Sequence, residues 1–436
     1  MSDPQGNVLV HTGLDANGCV IKRADGSVLP AVSPFYSDPS VFLQSWLFLP
    51  WPGDNTKLAA IRRQPDLTAS AYQSSRFLVG CIDLTAGGGL GAITAPPAIL
   101  QDSMAPKLTA VPHANGQDYW ILGHKHSSDT FHAYHLRPNG VDTIPVVSHA
   151  GAVLPGSAGG FTDNPMIHGP LVANYVGDKL VCVSYSNLPA IADTSIVELF
   201  YFDNATGVVS LMSALSSDRT FFGCGGAEFS PDGSKLYVAE VPDGFTLQTR
   251  LVQYDLSNPE AGAILNTETI LNESMGSLDL SNSVVVAAAP DGRIYIGKGW
   301  GAVYLGMIEH PDSAGTACGL VPQGLFLPNN SAGELSLPNF CKRYHDSEMS
   351  VSVSEVSSPE TSLPLWPVPA GALLNVSVPA SGRLAVLDIL GREVAWQRAG
   401  VQGNVDLEVG GLAAGTYLLR FVPTHGTILT GTFLKE

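Results

Sequence analysis

The chain has 436 residues, of which 45% are apolar and only 14% charged, and its formal net charge is −17. That acidity argues against a nucleic-acid partner, because phosphate backbones are bound through a surplus of Lys and Arg. The apolar content excludes a disordered polymer, the length leaves room for two or three domains, and no run of about 18 apolar residues is present to span a membrane as a helix.

Met1-Ser2-Asp3-Pro4-Gln5-Gly6 has neither a basic stretch nor an apolar core, so it does not read as a signal peptide. From residue 8 to about 345 short β-patterned runs alternate with turn signals, in keeping with the 46 Gly and 31 Pro of the chain. Phe229-Ser230-Pro231-Asp232-Gly233-Ser234-Lys235-Leu236-Tyr237-Val238 recurs as Ala288-Ala289-Pro290-Asp291-Gly292-Arg293-Ile294-Tyr295-Ile296. Looser copies run from Val111 to Ile121 and, with the turn pair reversed, from Asn174 to Cys182. Asn or Asp next to Gly supplies the positive φ angles of a two-residue hairpin, so each copy is expected to join two strands directly. Units begin near residues 3, 44, 106, 168, 224 and 283, a period of about 45–60 residues, close to that of four-stranded propeller blades.

The fold expected for residues 1–345 is therefore an all-β propeller of six visible repeats, its ring hiding the strand edges. Residues 322–345 either complete a seventh blade or supply the closing strand, and two stacked β-sandwiches are the alternative. The stretches Lys107 to His113, Asp118 to Ile121 with His124, Glu198 to Gly207, Gln253 to Ser257 and Leu337-Pro338-Asn339-Phe340 occur in one order. Together with the two Asp-Gly repeats they resemble the propeller domains of Bacteroidetes surface and gliding-associated proteins. The resemblance implies an exported protein whose propeller has no assigned catalytic activity.

Asp346 to Pro359 is Ser-rich, acidic and free of aromatics, so residues 346–362 read as a linker. Beyond it the chain carries Trp366-Pro367-Val368-Pro369-Ala370, then a strand with Leu374, Val376 and Val378 on one face, then Leu384 to Asp388 running into Gly391-Arg392-Glu393-Val394. Leu412-Ala413-Ala414-Gly415-Thr416-Tyr417 precedes another strand, and a last strand ends in Lys435-Glu436. In this order and at the C-terminus, residues 363–436 resemble the type IX secretion system C-terminal sorting domain, with Val368 departing from the usual Asn. The motif positions are Pro367, Pro369, Asp388, Gly391, Arg392, Gly415, Tyr417 and Lys435. An ordinary Ig-like accessory domain is the alternative. The resemblance implies an Ig-like β-sandwich, partners in the type IX machinery and its sorting protease, and passage through the periplasm to the medium or the outer surface. Such export needs a signal peptide, so the expectation is that this chain is truncated or begins at a wrongly assigned start, with the first propeller strand missing. Release of the tag is expected between about Ser347 and Pro364, where exposed backbone invites proteolysis.

The six cysteines, Cys19, Cys81, Cys182, Cys224, Cys318 and Cys341, show no zinc-type spacing. A Cys318–Cys341 disulfide and buried free thiols are both open. Five histidines fall between His113 and His135, and His124 and His126 share a strand face, so with His113 they are the metal-ligand candidates. Surface histidines are the plainer reading; His132 and His135, an odd number apart, point to opposite faces. The Asp-Gly pairs at Asp232 and Asp291 lack the alternating oxygens of a calcium loop, and no nucleophile elbow or phosphate loop occurs. No cofactor is expected. The leading functional reading is a non-enzymatic module that binds an extracellular glycan or protein. The alternative is a hydrolase or lyase whose site converges in the central channel from Glu228, Asp118 and His113, and an intracellular scaffold is a third possibility.

Overall fold

The computed structural model describes residues 9–15, 18–23, 25–29, 44–65, 75–89, 91–94, 97–154, 169–184, 194–218, 221–241, 249–272, 284–297, 303–327, 337, 339–342, 363–388, 393–423 and 429–436. The chain divides into two compact units, Met1–Ser350 and Val351–Glu436. No helix among the described residues is long and apolar enough to cross a membrane.

The first unit is a succession of antiparallel meanders. The first contains Trp46–Trp51, Asp54–Pro65 and Ser75–Asp83, with Ala92–Ile93 at its edge. The second contains the later half of Ala98–Pro112, then Tyr119–Lys125 and Thr130–Arg137, with Val146–His149 outside. The third runs Leu171–Ala173, Lys179–Ser184, Thr194–Asp203, Val208–Ala214. The fourth runs Phe221–Phe229, Lys235–Val241, Arg250–Asp255, Thr269–Asn272, and the fifth Val285–Ala288, Ile294–Gly297, Tyr304–Ile308, Leu320–Phe326. A hairpin, Val10–Asp15 with Gly18–Arg23, precedes them. Some meanders share ladders. Ala98–Pro112 pairs with Ser75–Asp83 through its first half and with Tyr119–Lys125 through its second.

What makes these sheets blades is that the first four are each buried on both faces. Successive side chains of a strand point to opposite sides. In the second meander Tyr119 and Ile121 therefore pack with Leu47, Ala59 and Phe77 of the first. Their neighbours Trp120 and Leu122 pack with Leu180, Phe200 and Phe202 of the third. The alternation repeats onward: Val181 and Val183 meet Leu236 and Val238, while Tyr237 and Ala239 meet Val286 and Ile296. Burial on both faces explains why the strands read as near-continuous apolar runs. The N-terminal hairpin covers the remaining face of the first meander, with Val10 and Ile21 against Trp46, Leu58 and Ala60. The unit is a β-propeller, and its repeats begin close to the positions marked in the sequence.

The turns differ from the expectation. Gly116, Gly177, Gly233 and Gly292 do take positive φ, between 69° and 79°. Each, however, donates its N–H to the carbonyl three residues earlier, on His113, Asn174, Ser230 and Ala289, at 2.9–3.2 Å. Glycine is thus the last residue of a type I turn, not the centre of a two-residue hairpin, and Pro231 and Pro290 occupy the second position that favours proline. Side chains of one meander are stapled to a loop of the next. Trp51 Nε1 donates to Pro138 O (2.9 Å), Trp120 Nε1 to Asn204 O (2.8 Å) and Tyr237 Oη to Pro311 O (2.6 Å). Trp120→Phe keeps most of the packing and loses one such bond, so a loss of about 1 kcal/mol is expected in urea unfolding. An unchanged midpoint would mean the staple is energetically idle.

The structure bears on two readings that the sequence leaves open in the C-terminal part of this unit. Leu320–Phe326 is the outer strand of the fifth meander, so residues 322–345 build no further blade among the described residues. Cys318 and Cys341 are buried in different core clusters, one with Tyr237 and Ile308, the other with Leu47 and Leu136, so they are not bonded to each other. Small apolar thiols are at home there. Cys81 and Cys182 are free thiols, and the side chains of Cys19 and Cys224 lie outside those described.

The second unit is a sandwich. One sheet joins Leu365–Trp366, Leu373–Val378 and Gly403–Glu408, and the other orders Glu393–Ala399, Gly382–Leu387, Gly415–Pro423, Leu429–Lys435. Leu374, Val376 and Val378 face inward as expected, against Leu384, Val386, Leu419, Phe421 and Phe433. Ala370, closing the Pro367–Pro369 turn, donates to Leu434 O at 2.7 Å and accepts from Glu436 N at 3.2 Å. The turn and the C-terminus, both motif elements, thereby hold each other. Tyr417 stacks on Phe433 and donates to Ala413 O (2.9 Å), just before Gly415, while Lys435 is buried beside Ala370. Asp388 ends its strand half-buried, and Gly391 and Arg392 lie outside the described residues, as does the linker.

Candidate functional site at the centre of the propeller

Among the described residues, those just before the linker fill space between the innermost strands of the meanders. Leu337 lies against Val285 and Gly297 of the fifth meander. Asn339 Nδ2 donates to Leu108 O of the second at 2.9 Å, and Lys342 Nζ donates to Glu228 Oε1 of the fourth. Cys341 packs in the core shared by the first and second meanders. Residues 337–342 therefore touch four of the meanders. Gln44 works in the same way from the other end of the unit, accepting from Leu108 N (3.2 Å) and Leu171 N (3.1 Å) and donating to Leu171 O (2.7 Å).

Glu228 is the carboxylate here, at 3% exposure. Its Oε1 also accepts from Phe229 N (2.7 Å) and its Oε2 from Ala288 N (2.9 Å), so both oxygens are engaged. Burial holds the Lys342 ammonium below the usual lysine range, and Glu228 opposes that effect. The remaining cavity, lined by Gln44, Thr109, Glu228, Asn339 and Lys342 among others, is about 60 Å³. That is room for a few waters, well below the roughly 300 Å³ and more of a usual ligand pocket.

Glu228, Asp118 and His113 do not converge. Asp118 and His113 sit at a turn of the second meander, joined by His113 N to Asp118 O at 2.9 Å. There the His113 ring stacks on His135 (centroids 4.5 Å apart), which stacks on Trp120 (4.6 Å). Arg137 Nε donates to His135 Nδ1 at 3.0 Å, so the opposite nitrogen, Nε2, carries the proton and donates to Asp118 Oδ2, also at 3.0 Å. Both ring nitrogens being engaged, His135 is not free to act as a base. Burial is the first cause of its lowered pKa, and Arg137 adds to it.

The metal candidates His113, His124 and His126 are also separated. His124 lies six residues along the strand from Asp118, about 20 Å at the usual rise per residue. It is buried edge-on to Phe131, with Nδ1 donating to Lys125 O at 2.8 Å. His126, beyond the strand, is 2.7 Å from Ser127 Oγ through Nδ1. The shared strand face does not form, because the strand ends at Lys125, before His126, and Phe131 of the adjoining strand lies against His124. Among the described residues no group of three His, Cys, Asp or Glu side chains is arranged to hold a metal ion. His132 and His135 do point to opposite faces, one beside Tyr134 and the other beside Trp120.

Two polar residues gave no sequence signal. Lys342 sits next to a predicted linker. Lys107, wholly buried, donates to Gly169 O (2.9 Å) and Val183 O, bridging the second and third meanders with its pKa lowered by burial. By residue type alone either lysine reads as solvent-facing.

Residues 364–431 match the family described as the secretion system C-terminal sorting domain. No curated protein matches the chain. Solved structures similar to it include a puromycin hydrolase S511A mutant complexed with PGG, at 14% identity and a TM-score of 0.40, over 97% of this chain and 56% of that one. The chain thus spans little more than half of that hydrolase. A protein of unknown function from Dyadobacter fermentans is similar at 11% identity and a TM-score of 0.35, covering 67% of this chain and 86% of its own. The β-propeller domain of Myceliophteria thermophila Cps50 (Swd1) is similar at 10% identity and a TM-score of 0.31, covering 68% and 91%. Similarities this low carry no argument about activity. With its C-terminal unit matched by that family, the chain is type IX secretion cargo, a β-propeller followed by a C-terminal sorting domain.

Proposed function

We propose that the propeller is a non-enzymatic module that binds a glycan or a protein outside the cell, and that the sorting domain is removed once it has delivered its cargo. The observation that carries this reading is the filled centre among the described residues. Glu228 is saturated by two amides and Lys342, and the cavity beside it holds only water-sized contents. Binding then falls to the outer surface of the propeller. The test is to screen the released propeller against arrayed glycans and, in parallel, against fluorogenic glycoside and peptide substrates. Saturable glycan or protein binding without turnover is the expected result. Turnover that Glu228→Gln abolishes in a folded protein would replace the module with a channel hydrolase.

Removal of the tag is bounded on both sides. Lys342 is locked into the propeller, and Leu363, 3% exposed, donates to Thr430 O at 3.0 Å inside the sandwich. Proteases need unpacked backbone. Mass spectrometry of the exported protein should therefore find its C-terminus between residues 343 and 362. A terminus inside the sandwich, or before Lys342, would contradict the division into cargo, linker and tag.

A further inference from the structure

The chain finishes the two flanks of the sorting sandwich differently. On one, the last strand, Leu429–Lys435, is covered along its outer side. Leu363 N donates to Thr430 O at 3.0 Å, Ala370 N to Leu434 O at 2.7 Å and Glu436 N to Ala370 O at 3.2 Å. On the other, both sheets end in strands that pair on one side only among the described residues, Gly403–Glu408 in the smaller sheet and Glu393–Ala399 in the larger. The ladder of Glu393–Ala399 shifts register between Val386 and Leu387, an irregularity of the kind that blunts an edge. Gly403–Glu408 has no such device: its six residues run in unbroken register against Leu373–Val378, without proline. Val405 and Leu407 turn toward the core of the sandwich, while Asn404, Asp406 and Glu408 are exposed on the outward face. Their cross-strand neighbours there are Ser377, Asn375 and Leu373, with Trp366 beyond Asn375. No Lys or Arg stands among them, and neither carboxylate has an ion-pair partner among the described residues.

A regular strand with one unpaired side is a template for another strand, and proteins ordinarily block it with a bulge, a proline, a covering segment or charge. The block on Gly403–Glu408 is charge of one sign. Like charges directly opposite across a strand pair repel, so two copies of this edge do not pair with each other. A strand that carries basic side chains meets no such barrier.

We propose that Gly403–Glu408 is a docking edge, and that it takes an extended strand of the secretion machinery in which apolar residues alternate with Lys or Arg. The inference rests on the sorting-domain reading and adds to it the edge and the chemistry of the partner. Main-chain hydrogen bonds to the unpaired side of the strand supply affinity, and side chains at every second position supply selectivity. The inward residues of the added strand extend the apolar layer beside Val405 and Leu407. Its outward residues meet Asp406 and Glu408, where opposite charges across the strand pair attract. Reversing the sign at these two positions turns that attraction into repulsion.

The test uses the full chain, with a signal peptide, in a type IX-competent host. Export is compared for the parent, the pair Asp406→Lys with Glu408→Lys, the pair Asp406→Glu with Glu408→Asp, and the pair Val422→Lys with Thr432→Lys, which adds positive charge on the exposed face of the larger sheet. Thermal unfolding of each purified chain identifies any variant that has lost its fold, and Asp406→Lys alone replaces the reversed pair if that pair unfolds. A roughly tenfold or greater loss of export is expected for the reversed pair, since like charges brought together at an interface cost effects of that size. The other two pairs are expected to be exported like the parent. Normal export of the folded reversed pair overturns the docking edge. So does an equal loss with Val422→Lys and Thr432→Lys, which would report only net charge. Hydrogen exchange of the purified full chain tests the mode of binding, with a synthetic peptide of alternating valine and lysine, as long as the strand, for a probe. Slower exchange of residues 403–408 is expected with this peptide and not with its valine–glutamate counterpart; protection by both or by neither overturns strand pairing. Parent dimers that the reversed pair dissociates, measured by sedimentation, would give the edge to a second copy instead. Deleting residues 351–436 separates the two readings: export that survives the deletion refutes the sorting reading itself, whereas export lost on deletion but kept in the reversed pair refutes only the edge.

Discussion

The propeller is expected to lose about 3 kcal/mol of stability between pH 6.5 and pH 4 through His124 alone. Burial lowers the pKa of this imidazole from 6.5 to about 4. The unfolded chain takes up a proton near pH 6.5, while the folded chain cannot until near pH 4. The stabilising effect is therefore complete above pH 6.5 and is lost as pH falls to 4, at about 1.4 kcal/mol for each tenfold difference in proton affinity between the two states. The pKa values of His126, His132 and His135 are lowered too, chiefly by burial, and add to the slope. Glu198 works against it: burial raises its pKa, so the folded state binds that proton more readily as pH falls. Denaturant unfolding at a series of pH values measures the sum. His124→Leu isolates the main contributor, and the expected result is a flatter profile between pH 6.5 and 4 than in the parent. An unchanged slope would show that His124 is solvated and that the acid sensitivity lies elsewhere.

How much of this was legible in the sequence depends on the range of the interaction. The hairpin repeat around Asp232-Gly233 and Asp291-Gly292 marked the blades, because a turn that needs glycine at positive φ advertises itself locally. The same signal misled on the turn type. A proline two residues before the glycine, as in Pro231 and Pro290, was the available clue to a type I turn. The sorting domain was legible because its inward residues, Leu374, Val376 and Val378, alternate cleanly on a one-sided sheet. The centre of the propeller was not. Glu228 and Lys342 are 114 residues apart, and nothing local distinguishes either from a solvent-facing charge. The histidine cluster failed for a similar reason. Periodicity shows which face His124 is on, but only packing shows that Phe131 closes that face.

The second large effect is expected at the Glu228–Lys342 pair. Lys342→Met should cost 3–5 kcal/mol, roughly what removing one partner of a buried ion pair costs, because it leaves a carboxylate at 3% exposure without its counter-ion. Glu228→Gln keeps an acceptor for Phe229 N or Ala288 N but strands the buried ammonium, so a loss of similar size is expected. Combining the two removes both charges, and the double variant should cost less than the sum of the singles by about 0.5–3 kcal/mol. Additive losses would mean that the two groups are solvated independently and that residues 337–342 are not a clasp. The pair also bears on export, since the clasp is the last described segment before the linker and the tag. A chain ending after Tyr344 should unfold at the same denaturant concentration as the untruncated propeller. One ending after residue 336 loses Leu337, Asn339, Cys341 and Lys342 together and should unfold well below it. If the shorter chain were equally stable, nothing in the fold would require the sorting protease to cut beyond Lys342, and the expected terminus between 343 and 362 would rest on the sandwich alone.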